Sequence, residues 1–116
     1  MIFVSKNEKG KPAYEMVMER IKTVTRRSKP QPVGAIRAVQ PGRTKAGIGH
    51  IKIVSCMKHY IWMEAMTVGN NFDIAKDLNA EAVKEGFETW HGLSTWFIEH
   101  KISMADTYRI EFVVVD

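Results

Sequence analysis

Lys22-Thr23-Val24-Thr25-Arg26-Arg27 puts an amine, two hydroxyls and two guanidinium groups within six residues. No packed core requires such a cluster, so a binding surface or an active site is the first expectation. A threonine hydroxyl becomes a useful nucleophile only when a base within hydrogen-bond reach takes its proton. A lysine serves as that base when burial or neighbouring cations lower its pKa, and Arg26 and Arg27 are such cations. In a regular strand residues of odd spacing project to opposite faces. Lys22 and Thr25 can therefore cooperate only if Lys22 sits in a turn ahead of the strand. The competing reading is a solvated, threonine-rich strand that begins with a lysine.

The charge distribution supplies a partner for this cluster. Residues 1–60 hold thirteen of the 17 Lys/Arg and three of the 13 Asp/Glu, a net of +10. Residues 61–116 hold the other four Lys/Arg and ten Asp/Glu, a net of −6. A basic surface built from Arg26, Arg27, Lys29, Arg37, Arg43 and Lys45 is expected to meet a phosphate-bearing partner, RNA or a nucleotide. The alternatives are solubility, or pairing of the two halves across the fold. Surface pairs contribute only about 0–1 kcal/mol each and would not select the pattern. Tyr60 and Trp62, on one face of an expected strand, could stack on a base.

Several function classes lack support. The chain of 116 residues suits one domain, 1–116, with a single core. No apolar run is long enough to cross a bilayer, so no membrane partner is expected. The first residues lack the basic-then-apolar order of a secretory signal. Cys56 is the sole cysteine and excludes an intrachain disulfide, which fits a reducing, cytoplasmic setting. His50, His59, His91 and His100 are scattered, and Cys56 with His59 lacks a second ligand pair, so no metal is expected. No glycine-rich dinucleotide motif, Walker motif or serine elbow occurs, so no cofactor is expected.

The elements that must position the cluster follow from periodicity. Met1 to Ser5 reads as a short strand. Pro12 to Ile21 reads as a helix with Tyr14, Val17, Met18 and Ile21 on one face. Thr23-Val24-Thr25 is β-branched and favours strand. After a proline-rich loop, Val33 to Gln40 and Ile48 to Met57 read as strands, and Tyr60 to Met63 as an extension or a further strand. Gly69-Asn70-Asn71 marks a break. Asn79 is expected to cap a helix through Phe87 with Glu81 in its first turn, followed by a helix from Leu93 to His100. Phe87, Trp90, Trp96 and Phe97 are expected in the core. Tyr108 to Val115 closes the chain as a strand. The expected class is α+β, a small, mostly antiparallel barrel with helices packed at its openings.

Lys22-Thr23-Val24-Thr25-Arg26-Arg27 after a helix, Glu85-Gly86-Phe87 on a later helix and the closing Arg109-Ile110-Glu111-Phe112 together resemble the ASCH domain, a branch of the PUA-like barrel superfamily. The resemblance runs from about Met16 to Val114. It implies a barrel with a cleft for RNA or a nucleoside, and in one branch an amidohydrolase that deacetylates acetylcytidine. Carried over position by position, it implies Lys22, Thr25 and Glu85 as catalytic residues; Thr23 and the basic residues Arg26, Arg27, Arg37, Arg43 and Lys45 are expected beside them to bind substrate or nucleic acid. Glu85 would relay a proton or orient Lys22. Other branches imply a non-catalytic RNA-binding module or a ribonuclease. The chain departs from the amidohydrolase pattern at Ser28–Pro32, Gly42–Gly47 and Tyr60–Asp73. The structural alternative puts Thr25 in a cross-strand pair and Lys22 with Glu85 in a surface ion pair.

Overall fold

Alternation of apolar and polar residues builds one sheet, and helical spacing builds the layer that covers its functional end. The computed structural model describes residues 1–68 and 73–115; the expected break at Gly69-Asn70-Asn71 lies outside them. In chain order the elements are α1 (Ala13–Met18), β1 (Val24–Arg27), β2 (Ile36–Val39), β3 (Gly49–Lys58), α2 (His59–Thr67), α3 (Ile74–Lys84), α4 (Trp90–Glu99) and, after a single 3-10 turn, β4 (Tyr108–Val115). The class is α+β, as expected.

The sheet runs β1-β4-β3-β2 and every pair is antiparallel. Ile51 and Ile53 of β3 face Ile110 and Phe112 of β4 on the inner side, and all four are fully buried. Phe3, Met16, Val17 and Val39 complete this core. The register shifts between Ile53 and Ser55, a bulge that leaves the exposed Val54 without a partner on β4. A second, smaller core of Ala82, Leu93 and Phe97 joins α3 to α4, with Phe87, Trp90 and Trp96 packed partly buried against it.

Several expectations are corrected. The sheet is open. β1 and β2 are its edges, and no pairing joins them among the described residues. Met1 to Ser5 forms no full strand; Ile2 makes one parallel bridge to Gln40, and the Phe3 N–H donates to the Gln40 carbonyl at 2.9 Å. β2 is shorter than expected and buries only Val39, while Val33 is exposed. α1 ends at Met18, so Ile21 falls beyond it and is exposed.

Tyr60 to Met63 is helix, not strand. Trp62 is buried, Met63 and Met66 are half-buried, and Tyr60 and Ile61 face out, which is helical spacing. α3 begins five residues before the expected cap. Asp73 caps it by accepting from the Lys76 N–H, while the Asn79 side chain accepts from the Trp90 N–H at the start of α4. Glu81 is therefore late in the helix and buried rather than in its first turn.

Candidate functional site

Two helix ends meet at the site, and both close in the same way. After α1, the Ile21 N–H donates to the Met16 carbonyl and the Arg20 N–H to the Val17 carbonyl. After α3, the Phe87 N–H donates to the Ala82 carbonyl and the Gly86 N–H to the Val83 carbonyl. These are Schellman turns, which require a left-handed residue just past the helix. Gly86 fills that position at φ 92° without strain, and Arg20 fills the other at φ 63°. The chain leaves the first turn through Lys22, ahead of β1. Lys22 thus occupies the turn that the proposed chemistry requires.

Main-chain bonds lock the two ends together. The Thr23 N–H donates to the Lys84 carbonyl at 2.8 Å, and the Thr23 carbonyl accepts from the Phe112 N–H at 3.0 Å. Glu85, the C-cap of α3, presents its carbonyl to the Lys22 amine at 2.7 Å. That contact satisfies a carbonyl the helix leaves free and places a cation at the negative end of the helix dipole. It is with the main chain of Glu85, not its carboxylate.

The carboxylate belongs to a buried charge network. Arg26 donates from Nε to both Glu85 oxygens at 3.1 and 3.0 Å, and from a terminal nitrogen to Glu81 at 3.2 Å. Its other terminal nitrogen lies 2.7 Å from His59 Nδ1, which accepts when the imidazole is neutral. Arg109 grips both Glu81 oxygens at 2.6 and 3.0 Å. The Trp62 ring stacks beneath both guanidinium groups, 4.7 Å from Arg26 and 5.5 Å from Arg109.

Beside this network opens a cavity of about 540 Å³. Lys22, Thr25 and Glu85 all line it, as do Arg26 and Arg27, with Phe87, Trp96 and Phe97 on the apolar side. Burial drives the Lys22 amine down to about 8, helped by Arg27 and Arg26 and opposed by Glu85. Burial pushes the Glu85 carboxyl up, against the pull of Arg26 and Lys22. Both groups are thereby moved toward their neutral forms. Burial, with the nearby Arg26 charge, also lowers the His59 imidazole.

The remaining expected residues divide. Thr23 acts through its main chain and is not part of the cavity wall. Arg26 is not a surface group; its side chain is fully buried. Arg27 is partly buried and donates to the Ile2 carbonyl. Arg37 bonds Gln31 at 3.0 Å, and Arg43 and Lys45 are exposed on the β2–β3 connection, away from the cavity wall. Tyr60 is exposed, and Trp62 is committed to the arginines. Cys56 is half-buried and accepts from the Gln31 N–H.

Four residues carry roles in the network that differ from those their sequence suggests: His59, Trp62, Glu81 and Arg109. Glu81 and Glu85 are one helical turn apart and flank the buried Ala82, while Arg109 interrupts an apolar strand. Opposite charges at core-facing positions of two elements are the signal that could have paired them. Comparison with protein-family models, curated proteins and solved structures finds no match.

Proposed function

We propose that the cavity is the active site of a small hydrolase acting on a nucleoside or RNA, with removal of an acetyl group from a cytidine base as its reaction. The observation that carries the reading is a buried lysine, its amine lowered to about 8, sharing a cavity wall with a threonine hydroxyl. The ASCH resemblance supplies the substrate class and a PUA-like, barrel-derived reading of the open sheet. A volume of about 540 Å³ suits a nucleoside-sized ligand.

In the proposed cycle the neutral Lys22 amine takes the Thr25 hydroxyl proton as the oxygen attacks the acetyl carbonyl. The carbon–nitrogen bond breaks, and the cytidine amine leaves with the proton held by Lys22. Water, deprotonated by Lys22 in turn, hydrolyses the acetyl ester on Thr25 to acetate and restores the hydroxyl. Glu85 is a positioning residue. Its carbonyl fixes the amine, and its carboxylate, turned to Arg26, balances the local charge. The lone Cys56 is compatible with action in a reducing cytoplasm.

Incubation with acetylcytidine and with single-stranded RNA tests this reading. Release of acetate, abolished in Lys22→Ala, is the expected result. Full activity in that variant would remove the proposed site. A second reading, RNA binding without catalysis, draws on the exposed Arg43 and Lys45. It predicts affinity that falls steeply with salt and drops in Arg43→Ala, with no product formed. Chain cleavage instead of acetate release would favour a ribonuclease.

A further inference from the structure

The cavity wall contains a cation that the protein does not neutralise. Arg27 carries one hydrogen bond from a terminal nitrogen, to the Ile2 carbonyl, and its guanidinium lies over the Phe3 ring at 5.1 Å. Its Nε is buried and has no hydrogen-bond partner. No carboxylate comes within ion-pair distance of it among the described residues. The neighbouring acids are engaged elsewhere: Glu85 by Arg26, and Glu81 by Arg26 and Arg109. A partly buried guanidinium without a counter-ion is costly, since desolvation is offset only by pairing. The ring and the carbonyl hold the group in place, yet they are neutral.

We propose that Arg27 is an oxyanion subsite and that the molecule bound in the cavity carries a phosphate placed against it. The class follows from the donor: a planar fork with idle N–H groups on the cavity wall matches phosphate oxygens. The identification of the anion as a nucleotide phosphate rests on the nucleoside reading above; the anion subsite itself does not. A free nucleoside would leave Arg27 unpaired, so a nucleotide or an RNA segment is the preferred ligand.

Two measurements test this. In the first, inorganic phosphate is titrated at low salt and followed by phosphorus NMR. Line broadening is expected with the wild type, reduced in Arg27→Lys, which keeps charge but loses the fork, and absent in Arg27→Gln. Broadening that persists unchanged in both variants overturns the subsite. In the second, wild-type protein is titrated with cytidine, cytidine monophosphate and a short single-stranded oligoribonucleotide, read by tryptophan fluorescence because Trp96 lines the cavity. A charge-assisted bond should tighten binding of the phosphate-bearing ligands by about 10- to 100-fold. The oligonucleotide exceeding the monophosphate would identify a phosphodiester as the source, and the reverse a monoester.

Equal affinity for cytidine and its monophosphate overturns the inference even if Arg27→Gln fails to fold. The two readings fail separately. Phosphate bound through Arg27 with no nucleoside or nucleotide bound keeps the subsite and removes the nucleoside reading. Equal hydrolysis of acetylcytidine and its phosphate does the opposite.

Discussion

Arg26 has each of its three guanidinium nitrogens engaged, by Glu85, His59 and Glu81, over the face of Trp62. Its neighbour Arg27 has one carbonyl, one phenyl ring and an idle buried Nε. The two are adjacent on β1 and identical in chemistry. Alternate residues of a strand face opposite ways, so although both line the cavity, the Arg26 guanidinium reaches the acids of α3 and that of Arg27 reaches Ile2 and Phe3. Where every donor is matched, charge belongs to the fold. Where donors remain unmatched beside a cavity, charge is available to a ligand. Lys22 lies between the two regimes. Its amine is held by one carbonyl, and burial has brought it within reach of losing its proton.

The sharpest way to break this contrast is Lys22→Met. If Lys22 is the base of the proposed reaction, its loss should cost about 10²–10⁴ in the rate of acetate release, while the thermal midpoint stays near that of the wild type. A parallel collapse of stability would move Lys22 into the structural network. Next in size is Arg26→Met, which strands Glu85 and leaves Glu81 to Arg109 alone. Urea unfolding should show a loss of about 3–5 kcal/mol, the usual effect of removing one partner of a buried pair. Arg27→Gln, measured alongside, should lose far less, because it leaves no buried acid behind.

Gly86→Ala tests the turn beneath both regimes. The left-handed backbone costs a non-glycine residue about 1–2 kcal/mol, and the new Cβ would sit 2.9 Å from the Met16 methyl. Stability should fall by about that amount, and activity should fall with it because the Glu85 carbonyl is displaced.

The smallest effects are in pH. The Lys22 amine has a folded pKa of about 8 against an ordinary 10.5. The rate should therefore rise with pH through about 8, and stability should also rise from pH 8 toward 10.5 as burial of a charge is relieved. Lys22→Met should flatten both. His59 is lowered from 6.5, so the unfolded chain takes up a proton that the fold resists. Its contribution to stability should be present above pH 6.5 and decline as pH falls through the folded value. His59→Asn, which retains an acceptor for Arg26, should remove that slope.

Much of this arrangement was legible in the sequence, and the missing parts share a cause. The polar segment at 22–27, the closing strand at 108–115 and the approach of Lys22 to residue 85 all follow from local pattern and resemblance. The helix at 59–67 does not, because Tyr60, Ile61 and Trp62 are residues that favour strands. Packing of Trp62 under two arginines overrides that preference. The charge split implies two surfaces, whereas its most consequential part is internal. Arg26 of the basic half is buried against Glu81 and Glu85 of the acidic half. Single-chain pattern shows which residues are charged, but only tertiary contact shows which of them neutralise one another. The expected barrel rests on strand number, short connections and the family resemblance, none of which requires the edges to meet, and β1 and β2 remain apart.

Thr23 joins β4 to the end of α3 entirely through its own N–H and carbonyl. Backbone groups are common to every residue but proline, so this join is indifferent to most side-chain replacement. The frame that brings residues 22 and 85 together can therefore persist while the groups facing the cavity are exchanged. In such a scaffold the lining at 25 or 27 can change by single substitutions without the frame having to be rebuilt.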